Sequence, residues 1–263
     1  MRIEKGCFLW LFLLGSVLWI ATIGYAEDAS HQSAQDELYN KAVALKEVGD
    51  GRAALDIFEK LENDSRENQI RHTDILAEES IIMKGMNMPA WATKAKEAGY
   101  KIKLLYKANY AEYNYWLVYA KYCALVNNER DVYGAFKRMF YFKPNYVENC
   151  IAKGSLYTYL AKNTDPSETI SSPTIGYTDG TVSKDNSVRY SRGREAKEAF
   201  QTVLNNSALS DDRKAYVHYK MGELEINVLS DKDEAMRNWK KTVALSPESA
   251  YGKSASALLS KNE

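Results

Sequence analysis

The side chains able to do acid–base or metal chemistry are few and scattered. The chain has three histidines, His31, His72 and His218, the residues that most readily move protons or bind metal near neutral pH. One lies in a polar N-terminal stretch and the others in two separate helical segments. No H-E-x-x-H, G-x-S-x-G, phosphate loop or C-x-x-C is present. Asp231-x-Asp233 begins like a calcium loop, but the following glycine and distant glutamate are missing. It stands where a turn between helices is required. An enzyme needs a convergent acid, base or nucleophile, and none is legible, so the reading is a non-catalytic protein with no cofactor and no metal. Lys plus Arg and Asp plus Glu are 35 each, which disfavours nucleic acid as a partner. The 19 tyrosines are the unusual feature. Tyr106, Tyr110, Tyr113, Tyr115, Tyr119 and Tyr122 surround Trp116, with Phe140, Tyr141 and Phe142 nearby. Exposed aromatics suit interfaces and sugar stacking, but many of these fall at spacings that pack helices together.

The elements that position them are helix pairs. In Trp116–Pro144, Trp116, Tyr119, Ala120 and Cys123 recur at i, i+3, i+4 and i+7, one face of a helix. Twelve residues after Ala120 comes Val132, then Phe136, and Pro144 closes a second helix. The order of large aromatic, small residue, β-branched residue, aromatic and proline resembles the tetratricopeptide repeat, whose period is 34 residues. Stepping 34 from Ala120 gives Gly154, with Cys150 and Tyr157 at matching offsets and Ala196, Phe200 and Val203 as the second-helix face. Leu38, Ala42 and Leu45 with Ala54 and Phe58 form another copy, turned at Gly49-Asp50. His218, Met221 and Gly222 with Ala235, Trp239 and Pro247 form a further one, with one extra residue between its helices and His218 in the packing slot of Trp116. Residues 70–85 and 89–107 fit poorly. They are expected to be a degenerate pair with longer helices and a seam at Ala95, Gly99 and Ile102. The resemblance implies an all-α fold, a right-handed superhelical array of helix-turn-helix repeats forming one elongated domain over residues 27–263.

The first 26 residues read as a signal peptide. Arg2 and Lys5 precede an apolar run, and Gly24-Tyr25-Ala26 offers a cleavage site. This predicts a periplasmic protein, or one held to the inner membrane if the segment stays uncleaved, with no other membrane contact. Pro166, Pro173, Gly176 and Gly180 amid Ser and Thr break the helical pattern, so residues 163–193 are expected to be an irregular insertion between two helices, with a hairpin at Asp179-Gly180. Residues 248–261 read as a capping helix. In the repeat register Cys123 and Cys150 fall on successive first helices about 10 Å apart along the axis, beyond the reach of a disulfide. Two buried thiols are expected.

In tetratricopeptide arrays the first helices line a concave groove, and the resemblance implies one here. Its lining would be Tyr39, Val43 and Lys46; Leu117, Lys121 and Ala124; Ile151, Ser155 and Thr158; and Tyr219, Glu223 and Ile226, each set one helical stripe. The mixture of aromatic, aliphatic and few charged groups suits an apolar or amphipathic segment. Family members that grip an acidic chain end use lysines and asparagines where Tyr39 and Val43 stand, which disfavours that role. The expected function is an exported scaffold or adaptor that binds a protein partner in a cell-envelope assembly. The alternative is a periplasmic accessory protein binding a small molecule or glycan for a transport or export system.

Overall fold

The computed structural model describes residues 33–65, 68–143, 147–168, 187–206 and 208–262. The signal segment, Pro144 and the hairpin expected at Asp179-Gly180 lie outside them. The described residues fold as an all-α array of TPR-like helix pairs. The first pair is α1 (33–47) and α2 (Gly51–Asp64), followed by α3 (Gln69–Gly85) with α4 (Trp91–Asn109) and α5 (Tyr113–Leu125) with α6 (Glu129–Phe142). Next come α7 (Val147–Lys162) with α8 (Val188–Leu204), α9 (Asp211–Leu224) with α10 (Lys232–Leu245), and a single helix α11 (Ala250–Asn262). Each pair packs within itself, each second helix packs on the next pair's first helix, and α3, α5, α7 and α9 pack in succession.

The pairs close on small residues opposite aromatics. Gly154 lies against Phe200 and Gly222 against Trp239, so closely that a Cβ on either glycine would sit 2.5 or 2.3 Å from the ring. Ala42, Ala54, Phe58, Trp116, Ala120, Phe136, Tyr157, Ala196, Phe200, Ala235 and Trp239 are all buried. Pro247 is exposed in the turn that follows α10. His218 is half-buried, with Nδ1 2.9 Å from Asn238 Oδ1.

Turns between paired helices use left-handed residues: Gly49, Asn87, Asn127 and Ser230 all have positive φ, a common way to end a helix. Asp50, Asn128 and Asp231 then accept the first free amides of α2, α6 and α10. Asp231 is thus a cap, which accounts for its place in the loop-like motif. The extra residue of the α9–α10 unit is absorbed by a π-helical turn, Glu225–Leu229. The degenerate pair is real: its turn, 86–90, is longer than 126–128, and α4 has 19 residues.

Three expectations are corrected. The insertion does not reach Gly193, because α8 starts at Val188; Arg192 and Gly193 are buried, and Arg192 bonds Glu129 at 2.7 Å and also Thr164. Proline and glycine density ends before this turn, but its serines and arginines disguise a helix fixed by those contacts. Helix α4 begins at Trp91, after Pro89, which lies in the preceding turn. Cys123 is buried, whereas Cys150 is only half-buried; both are free thiols.

Candidate functional site

The first helices and α11 enclose a concave groove of about 920 Å³. Its wall is Val43 from α1, Leu117 and Val118 from α5, Ile151, Ala152, Ser155 and Leu156 from α7, Tyr216 from α9 and Tyr251 from α11. Ile70 and Ile81 of α3 join them. At one end Arg71 pairs with Asp36 and Arg213 with Glu148.

The floor is ionic. Lys121 Nζ lies 2.7 Å from Asp74 and 2.9 Å from Glu78, and it donates to the Tyr39 hydroxyl, which itself donates to Asp74. Lys46 lies 2.9 Å from Glu78 and 3.0 Å from Glu47. Lys220 pairs with Glu47, 173 positions away in sequence, and with Glu223 at 2.6 Å. Acids and ammonium groups alternate along this chain from α9 through α1 and α3 to α5. Burial opposes ionisation of Glu78, but Lys121 and Lys46 hold its carboxyl well below the usual carboxylate range. Burial likewise opposes the charge on Lys121, and Asp74 and Glu78 overcome it, raising the ammonium well above its ordinary range. Burial, with Asp74 beside it, raises the Tyr39 phenol. Glu47 and Glu78 are therefore held as carboxylates and Lys46, Lys121 and Lys220 as ammonium groups, paired with one another, while Tyr39 stays a neutral hydrogen-bond donor. They carry no perturbation toward neutral pH of the kind a general acid or base needs, and among the described residues no cluster of His, Cys, Asp or Glu is arranged to hold a metal.

Of the twelve groove positions read from sequence, Tyr39, Val43, Lys46, Leu117, Lys121, Ile151 and Ser155 line the cavity. Ala124, Thr158, Tyr219, Glu223 and Ile226 do not. Ala124 is buried in packing and Thr158 is buried with its hydroxyl on the Gly154 carbonyl. Tyr219 is covered by the capping helix, 5.7 Å from the Tyr251 ring, and Ile226 packs in the same C-terminal cluster. Glu223 is taken up by Lys220. All except Tyr219 lie toward the C-terminal ends of the first helices, where the ionic floor closes the groove. A helical stripe gives a face but no depth.

Sequence reasoning missed Asp74, Glu78, Arg71, Glu47, Tyr216, Lys220 and Tyr251. The signal for Asp74 and Glu78 was available: two acids four apart in DILAEESII, on the first helix of the degenerate pair. Lys220 to Glu47 had none.

A second cavity, of about 510 Å³, opens on the opposite side of α5, lined by Tyr115, Trp116 and Tyr119 together with residues of α4 and α6. The tyrosine-rich centre is therefore divided. Tyr115 and Trp116 are buried, with rings 5.2 Å apart edge to face, while Tyr106, Tyr133 and Tyr141 are exposed.

No protein-family model and no curated protein matches the chain. Among solved structures, the chain is similar to that of a thermophilic TPR protein from Thermus thermophilus, at 16% identity and a TM-score of 0.46, covering 86% of this chain and 99% of that one.

Proposed function

We propose that the protein is a non-catalytic adaptor that holds an amphipathic helical or extended segment of a partner protein in its concave groove, in an exported assembly of the cell envelope. The observation that carries this is the groove itself, an apolar wall over a floor whose charges are already paired. A helix 10 Å across fills about 400 Å³ per turn, so the cavity suits about two turns. An uncharged apolar face gains from burial there, whereas a charged one meets no free counter-ion on the floor. The N-terminal signal pattern supports export, with the mature protein in the periplasm.

The test is co-purification from envelope extracts with wild type and Leu117→Glu. Leu117 is half-buried in the wall, so the carboxylate should abolish capture of a segment while leaving the helical circular dichroism unchanged. Retention of the same partner by the folded variant would overturn the groove reading. Lys121 is unsuitable for this test, since a glutamate there would face Asp74 and Glu78 and unfold the floor.

A further inference from the structure

The second cavity shares no residue with the groove and faces away from it. Its walls are aromatic, with Tyr106 from α4 and Tyr115, Trp116 and Tyr119 from α5, and α6 supplies Asp131 and Arg138 at its edge. Three features distinguish it from a mere packing gap. The Arg138 guanidinium is exposed and lies 4.9 Å from the Tyr110 ring centroid and 5.9 Å from that of Trp116, with no carboxylate paired to it among the described residues. Asp131 Oδ2 accepts from Tyr119 at 3.2 Å and Asn128 at 2.8 Å, which fixes the carboxylate and leaves Oδ1 as an acceptor. At Gly134, midway along α6 and in the lining, a Cβ would meet nothing within 4 Å. A glycine in a helix interior costs about 1 kcal/mol relative to alanine, and no close packing at this position requires it.

We propose that this pocket binds a hexuronate, a sugar ring bearing a carboxylate. The ring's C–H face lies on the exposed Tyr106 ring, which is held edge to face on the buried Trp116. Its hydroxyls donate to Asp131 and exchange hydrogen bonds with the tyrosine hydroxyls. Its carboxylate is taken by Arg138, whose planar fork matches that group, with Lys103 as a second cation at the edge. A quaternary ammonium would suit an aromatic wall alone, but Arg138 and Lys103 outnumber the single Asp131 carboxylate, whose charge is partly met by Tyr119 and Asn128, so the pocket is net positive and favours an anion. This gives the tyrosine-rich centre a binding role that does not depend on the groove.

The test is calorimetric titration of the full chain with D-glucuronate, D-glucose and benzoate. Glucuronate should bind most tightly. Arg138→Gln should weaken it about tenfold, the worth of one charge-assisted hydrogen bond, and bring it to the level of glucose. Gly134→Leu should abolish binding of the sugar while leaving the melting temperature equal or higher, because the new side chain fills open space. Leu117→Glu in the groove should leave the sugar affinity unchanged, which separates this site from the partner site. The proposal is overturned if none of the three probes binds, if benzoate binds as well as glucuronate, or if Gly134→Leu retains full affinity.

Discussion

At the scale of single residues, two helical glycines make opposite predictions. Alanine for glycine in a helix interior ordinarily stabilises by roughly 0.5–1 kcal/mol. At Gly134 that gain should appear in full. At Gly222 the new Cβ would meet the Trp239 indole at 2.3 Å, and overpacking of this kind costs about 1–3 kcal/mol, so Gly222→Ala should melt lower despite better helix propensity. Equal shifts for the two variants would show that the Gly222–Trp239 approach is loose. Glu79 is a different case. It is fully buried, with Oε2 on Lys94 at 2.5 Å and Oε1 without a hydrogen-bond partner among the described residues. Burial raises its carboxyl to about 7, against the pull of Lys94. Because the folded value exceeds the unfolded one, the native state binds the extra proton between about pH 4.5 and 7, and the stability this contributes is lost as pH rises through that window. Glu79→Gln keeps the neutral form at all pH, so its stability relative to wild type should improve by on the order of 2 kcal/mol between pH 4.5 and 8. Denaturant titrations at both pH values measure the difference, and no change would place a stable charge at Glu79.

At the scale of elements, the turn chemistry decides where helices stop, and much of it was written in the chain. Gly49-Asp50 was legible as a turn, and the one-residue surplus in the α9–α10 unit announced itself in the spacing of Gly222 to Ala235. What form the surplus takes, a π-helical turn whose Val228 and Leu229 pack against Gly193, depends on a neighbour that the local sequence does not contain. The insertion shows the same division. Its proline and glycine content marked a break, but the helical start at Val188 is set by Arg192 reaching Glu129 and Thr164. Val188 N–H donates to the Glu168 carbonyl at 3.1 Å, so the segment's two ends already meet. Replacing residues 169–186 by two glycines should leave the melting temperature within a few degrees, since shortening a loop changes closure entropy little. Loss of cooperative melting would make the segment a structural part of the array.

At the scale of the whole molecule, the helix pairs stack mainly on neighbours, which makes damage local. Trp116 is 7% exposed, donates its indole N–H to the Tyr110 carbonyl at 2.8 Å, and packs edge to face on Tyr106, Tyr110, Tyr115 and Tyr119. Trp116→Ala should cost about 3–5 kcal/mol through the cavity it leaves. Hydrogen exchange should quicken in α4 to α6 and remain slow in α10 and α11; uniform loss of protection would show one cooperative unit instead. Among the contacts that skip neighbours, Lys220 with Glu47 has the greatest reach, tying α9 to α1 across the groove. Removing one partner of a buried pair strands a charge, at about 3–5 kcal/mol. Lys220→Met should therefore loosen α1, measured as faster exchange there, while α5 and α6 stay protected.

By itself the sequence determined the all-α class, the pairing of helices and the residues that close each pair, because small-against-aromatic contacts recur at fixed spacing and local periodicity encodes them. It also marked one face of each first helix. Only the tertiary structure decided which part of that face is open. How closely the first helices approach at their C-terminal ends depends on contacts between residues as far apart as Glu47 and Lys220, and on an ionic floor whose Asp74 and Glu78 come from the pair whose spacing departs most from the repeat. Periodicity reports direction around a helix axis; distance to the next helix is a property of the assembled array.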